Sequence, residues 1–181
     1  LGNNFTQSTA ALRPTYQTNE INGLPVVRFD GVDNRLTAAS AIIPSDAQFS
    51  VFFVVWITSE ATIGAFLAQY AAAQVGRLLF TANQNCGGVA TAGRFNPFII
   101  SVTEGGCAGG LSVDLAYTSP SLISWLGNGG SEGSVSRINR ATSDTFTVST
   151  IYTGSNTSIG RDTGDSGAAF DGDCGEMILY D

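Results

Sequence analysis

Four aspartates, Asp162, Asp165, Asp171 and Asp173, fall within twelve residues near the end of the chain, and Gly164, Gly167 and Gly172 loosen the backbone around them. Hard carboxylate oxygens on pliable loops are what Ca²⁺ takes. Asp165, Asp171 and Asp173 are therefore the candidate ligands of a calcium ion, and no other cofactor is called for. No Asp-x-Asp-x-Asp-Gly run occurs, so the spacing is not that of an EF-hand. Solvated turn aspartates are the default reading.

Acid-base chemistry has few footholds. The chain holds no His, which removes the usual neutral-pH base and the commonest transition-metal ligand. A Ser–His–Asp triad or a His-bearing zinc site is thereby excluded. Retaining glycoside hydrolysis needs two carboxylates about 5 to 5.5 Å apart. No Glu-x-Asp-x-x-Glu run occurs: Glu20, Glu60, Glu104 and Glu132 stand without a second carboxylate at those offsets, and before Glu176 the segment Asp171-x-Asp173-x-x-Glu176 has Asp where the first Glu belongs. The chain is expected not to be an enzyme.

A sugar site needs an exposed aromatic beside polar groups. Trp125, followed by Gly127-Asn128-Gly129-Gly130, is the candidate platform, with Asn128 as its polar neighbour. A core position is the competing and more ordinary reading of Trp125. Trp56 sits inside the apolar run Ser50 to Thr58 and is expected in the core. Two of the three cysteines, Cys86 and Cys107, lie in Gly-rich stretches 21 positions apart. They are expected to form a disulfide, which would contribute about 3 kcal/mol through loop closure; free loop thiols are the alternative. Cys174, in an apolar strand, reads as a small buried hydrophobe. The sequons at Asn4 and Asn156 matter only on a eukaryotic secretory route.

These residues must be positioned by strands. The chain has 181 residues, enough for one domain with a sizeable core, and residues 1–181 are read as a single unit. Its 43% hydrophobic and 13% charged composition is the opposite of disorder. Short β-branched and aromatic runs recur between Gly, Asn, Ser and Asp clusters: 24–29, 50–58, 77–81, 97–103, 111–117, 121–126, 134–139, 145–152 and 174–180. Such spacing indicates an all-β sandwich or barrel. The unbroken run at 50–58 suits a strand covered on both faces. Residues 61–73 have helical spacing, but Gly64, Gly76 and the surrounding strands favour a strand and turn. All eight basic residues are Arg, and the net charge is -7, which disfavours nucleic acid. No apolar run approaches the roughly 18 residues of a membrane helix.

Phe-Asp-Gly occurs twice, at Phe29-Asp30-Gly31 within Asn22-Gly-Leu-Pro-Val-Val-Arg-Phe-Asp-Gly, and at Phe170-Asp171-Gly172 within Phe-Asp-Gly-Asp-Cys-Gly-Glu. Together with Arg13-Pro14-Thr15-Tyr16, these segments resemble the concanavalin A-like (laminin-G-like) jelly rolls of secreted, surface and phage virion proteins. The resemblance brackets most of the chain and implies a two-sheet antiparallel jelly-roll sandwich. It also implies neighbouring first and last strands at a shared sheet edge, with 24–29 antiparallel to 174–180. Calcium at a sheet rim is common in such folds. Polysaccharide lyases on this fold resemble a His-containing arrangement that this chain lacks. The family's upstream Trp segment and helix-like tail are not seen, so the chain is expected to be the core of a longer protein.

The expected role is a non-catalytic extracellular, cell-surface or virion module for adhesion, decoration or glycan binding. One rival is a structural assembly domain of a capsid, tail or filament, as a homo-oligomer or part of a larger assembly. A glycoside-active enzyme is the second. Glycans or neighbouring subunits are the expected partners, with neither nucleic acid nor membrane insertion.

Overall fold

Thirteen strands account for nearly all the regular structure in this computed structural model. It describes residues 4–43, 49–59, 64–70, 77–84, 90–100, 113–114, 117–127, 133–139, 141–147, 156–163 and 168–180. The strands are β1 (Thr15–Ile21), β2 (Leu24–Asp30), β3 (Leu36–Ala38), β4 (Phe49–Ile57), β5 (Gly64–Tyr70), β6 (Arg77–Gln84), β7 (Ala90–Ile100), β8 (Val113–Asp114), β9 (Ser121–Gly127), β10 (Gly133–Ile138), β11 (Ala141–Thr147), β12 (Asn156–Ile159) and β13 (Asp171–Tyr180). The only helical element among the described residues is a 3-10 turn at Ala10–Leu12.

The strands form two antiparallel sheets, a seven-stranded one ordered β1-β2-β13-β4-β9-β10-β11 and a six-stranded one ordered β3-β12-β5-β6-β7-β8. This is the concanavalin A-like jelly-roll sandwich. Every ladder between named strands is antiparallel, which lets one face of each sheet turn inward and the other outward.

The sandwich closes on aromatic rings. Phe53 of β4 lies edge-on to Phe66 of β5 at 5.0 Å and tilted against Phe80 of β6 at 5.2 Å. Phe80 meets Trp125 at 5.2 Å, and Trp125 meets Phe49 at 4.8 Å. Each such side chain removed from water contributes about 1.5–3 kcal/mol, with a further increment for the edge-to-face pairs. Polar side chains are also built into the interior, Gln69 among them. The buried Gln69 amide accepts from the Ile42 and Ile43 N–H groups and donates to the Ile43 carbonyl at 2.6 Å. It thereby ties the 42–43 segment to β5 without leaving a buried amide unsatisfied.

The two Phe-Asp-Gly motifs meet as the resemblance implies. Asp171 stands opposite Asp30 in the β2–β13 ladder, and the Phe29 and Phe170 rings approach to 6.0 Å. Asp30 Oδ1 accepts from the N–H groups of Val32, Asp33 and Asn34 at 3.0, 3.2 and 3.3 Å, and Gly31 takes φ +71° to close that turn. Burial opposes the charge on Asp30, but the backbone hydrogen bonds outweigh it and hold its carboxyl below the usual Asp range. Gly172 lets two strands touch, since a Cβ there would lie 2.3 Å from the Trp56 carbonyl oxygen.

Three expectations need correction. Pairing of β2 with β13 covers only Val27–Asp30 against Asp171–Cys174. A bulge around Gly175 shifts the register on the β4 side, and Pro25 has no N–H to give, so the ladder stops. The shared strands are also not at the edge, because β1 lies outside β2. The run at 50–58 is not covered on both faces: burial alternates along β4, with Phe49, Val51, Phe53, Val55 and Ile57 inward and Ser50, Phe52, Val54 and Trp56 half-exposed outward.

Candidate functional site

Alternation along β4, β9 and β13 lays a regular grid on the outer face of the seven-stranded sheet. Inward positions of β9 are Ser121, Ile123, Trp125 and Gly127, which leaves Leu122, Ser124 and Leu126 outward. Beyond the Gly175 bulge, Met177 and Leu179 pack against the core, and Glu176, Ile178 and Tyr180 turn outward. Registers then give three rows across the strands: Tyr180–Ser50–Leu126, Ile178–Phe52–Ser124 and Glu176–Val54–Leu122. The middle row continues to Arg137 of β10, which is opposite Ser124 and exposed.

This face is the main concentration of exposed large apolar side chains among the described residues. Tyr180 is 59% exposed, Leu122 42% and Leu126 38%. Tyr180 and Phe52 form an edge-to-face pair at 6.2 Å and 84°, which fixes the tyrosine ring over the sheet. The Ser50 and Ser124 hydroxyls lie between the apolar groups. Aromatic surface, hydroxyls, a carboxylate at one side and a guanidinium at the other are the ingredients of a polar-ligand platform.

Further along the same face, Asp173 lies between Arg28 of β2 and Trp56 of β4 on one rung. Arg28 donates Nε–H to Asp173 Oδ1 at 2.7 Å and Nη2–H to Oδ2 at 2.8 Å, and its Nη2 is 3.2 Å from Glu20 Oε2. The hydrogen bonds that Arg28 donates to Asp173 raise the Arg28 pKa further above its already high value, against an opposing contribution from burial. Glu20 is aimed there by an irregularity in β1: the ladder slips between Gln17 and Ile21, and Asn19 takes φ +60°.

The expected site residues divide accordingly. Trp125 is 1% exposed and wedged between Phe49 and Phe80, so it is a core residue and offers no ligand platform. Trp56 reverses its expectation: it lies on the outer face, half-buried, with Nε1 donating to the Tyr117 carbonyl at 2.8 Å. Asp173 is fully buried and bound by Arg28, so its carboxylate is already spent and it is no calcium ligand. Asp171 Oδ1 accepts from the Thr58 hydroxyl at 2.9 Å, a corner contact. Asn128, Asp165, Cys86 and Cys107 lie outside the described residues. No group of three or more His, Cys, Asp or Glu able to hold a metal occurs among the described residues. Cys174 packs against the core, and burial, aided by the Asp173 charge, pushes its thiol up to about 12.

Sequence reasoning missed Tyr180, Phe52, Ser50, Ser124 and Arg137. A usable signal was present in β9, where Leu-x-x-x-Leu at 122 and 126 alternates against Ile123 and Trp125.

No protein-family model matches this chain, and no curated protein matches its sequence. Solved structures match its fold. Domain 4 of AbnA, an extracellular GH43 arabinanase from Geobacillus stearothermophilus solved with arabinotriose, aligns with TM-score 0.64 and 13% identity over 92% of this chain and 74% of that one. The CBM40 of the Ruminococcus gnavus IT-sialidase, bound to α2,3 sialyllactose, aligns with TM-score 0.60 and 14% identity over 75% and 77%. The tailspike protein 2 of Escherichia coli O157:H7 bacteriophage CAB120 gives TM-score 0.62 and 15% identity over 97% of this chain and 25% of its own. No helix among the described residues is long and apolar enough to cross a membrane, which says nothing of β-barrels.

Proposed function

We propose that this chain is a non-catalytic carbohydrate-binding module that takes its glycan on the outer face of the seven-stranded sheet. The observation that carries the reading is the exposed Tyr180 ring, braced by Phe52 and set beside the Ser50 and Ser124 hydroxyls. A sugar ring has an apolar C–H face and a rim of hydroxyls. A fixed aromatic takes the first and short polar side chains take the second. Support also comes from folds of the same kind solved with arabinotriose and with sialyllactose.

The non-catalytic part rests on the carboxylates. Glu176 is the outward carboxylate of the grid, and its nearest neighbour along β13, Asp173, is buried and held by Arg28. That arrangement provides no acid and base facing one substrate. Placement outside the cell, on a cell surface or on a virion belongs to the same proposal, since glycans are met there.

A second reading has one specific observation behind it. Leu122 and Leu126 are exposed aliphatics, which suit a protein neighbour better than a sugar, and the tailspike match spans 97% of this chain. In that reading the face packs against subunits of an assembly.

A glycan array followed by calorimetric titration of hits, with size measurement of the protein alone, separates the two. Specific glycan binding by a monomer supports the first. Self-association blocked by Leu126→Asp, with an empty array, supports the second. Release of reducing ends from bound glycans would overturn the non-catalytic assignment.

A further inference from the structure

We propose that the glycan this face takes carries a carboxylate, and that Arg137 is the residue that recognises it; the inference rests on the glycan reading above and narrows its ligand class. Arg137 lies on β10 directly opposite Ser124, in the row that contains Phe52 and Ile178. Its neighbours Ser136 and Ile138 stand opposite the inward positions Trp125 and Ile123 in the β9 ladder, so strand alternation turns Arg137 to the outer face, where it is exposed.

Among the arginines whose side chains are described, Arg137 and Arg161 alone donate from the side chain to no described residue, and Arg161 follows β12 of the other sheet, which leaves Arg137 as the one on this face. Arg13 donates to the carbonyls of Gln7 and Ser8, Arg28 grips Asp173 and Glu20, and Arg35 donates to the Asp33 carbonyl. Arg137 has no hydrogen bond or ion pair to a described residue. On a chain of net charge -7, an exposed cation without such a partner, next to the Ser124 hydroxyl and in the same row as Phe52, is a specific local feature.

Distances fit a sugar acid. Strands in a sheet are about 4.8 Å apart, so Arg137 stands roughly 10 Å from the Phe52 strand and roughly 14 Å from the Glu176 strand. A pyranose lying over Phe52 and Ser124 would direct a carboxylate toward Arg137, whose planar fork matches two carboxylate oxygens. Glu176, the grid's own anion, is farther from Arg137 than the screening length of about 8 Å at physiological salt. It therefore competes weakly for the guanidinium and repels the ligand weakly.

The test uses matched pairs of glycans that differ only in the carboxyl group: a uronate oligosaccharide and its carboxyl-reduced form, and sialyllactose against lactose. Each is titrated into the full chain and into Arg137→Gln and Arg137→Lys variants, at low and high NaCl. The expected result is a preference for the acidic member of about tenfold or more, the equivalent of one charged hydrogen bond. Arg137→Gln should abolish that preference by weakening the acidic member of each pair far more than the neutral one. Arg137→Lys should retain part of it, and high salt should shrink it. Equal binding of both members, or a preference that survives Arg137→Gln, overturns this inference and leaves the glycan reading standing. Failure of every glycan to bind overturns both.

Discussion

Arg28 and Asp173 are joined across neighbouring strands by two parallel hydrogen bonds of 2.7 and 2.8 Å, with the carboxylate fully buried and the guanidinium side chain 40% exposed. The pair locks the register of the last strand against β2 at the point where both enter their Phe-Asp-Gly turns. Arg28→Ala would leave a buried carboxylate without its partner, a loss of about 3–5 kcal/mol for fully buried pairs. Solvent around the guanidinium argues for the lower end of that range. Urea unfolding of Arg28→Ala, Asp173→Asn and the double variant should show single losses that sum to more than the double loss.

The Asp30 corner predicts a pH dependence with a definite sign. Its folded-state carboxyl titrates below the ordinary value of 3.8. A depressed folded value means the unfolded chain binds the proton more readily. The stabilisation is therefore fully present above about pH 4 and is lost as pH falls through the lower folded value. Asp30→Asn should lower stability at neutral pH by roughly 1 kcal/mol. It should also flatten the decline in chemical-denaturation stability below pH 4; an unchanged acid limb would contradict the hydrogen-bond pattern.

Thiol chemistry separates the three cysteines. Cys174, half-buried and packed against the core with its thiol pushed up to about 12, should resist alkylation in the native state and react once unfolded. If Cys86 and Cys107 are joined as proposed, denaturation without reductant should expose one thiol, and reduction should expose three. Mass spectrometry of alkylated protein counts them directly.

Much of the architecture was legible in the sequence. Phe-Asp-Gly at both ends announced that the two corners meet, because aromatic, acceptor and flexible residue types recur in the same order. What stayed hidden is register. Asp173 reads as a loop carboxylate until the ladder places Arg28 opposite it. Trp56 left its expected core place for the outer face for a related reason. Every position of 51–57 is apolar, so periodicity carried no information about which side faces inward. Trp125 stands near a Gly-rich segment, yet the alternation of Ile123, Trp125 and Gly127 turns it into the core. Trp125→Ala should accordingly cost about 3–5 kcal/mol, and Trp56→Phe far less, in equilibrium unfolding.

The central claim is that the outer face of the seven-stranded sheet is where this domain meets its glycan. Tyr180→Ala tests it most directly, because a ring 59% exposed contributes little to the core and its removal should leave the unfolding midpoint nearly unchanged. Val32→Asp, at an exposed turn beside the Phe-Asp-Gly corner, serves as the remote control. The account predicts that calorimetric titration with an array-selected glycan shows affinity down at least about tenfold for Tyr180→Ala and unchanged for Val32→Asp. Full affinity in Tyr180→Ala, or a loss confined to Val32→Asp, would contradict it.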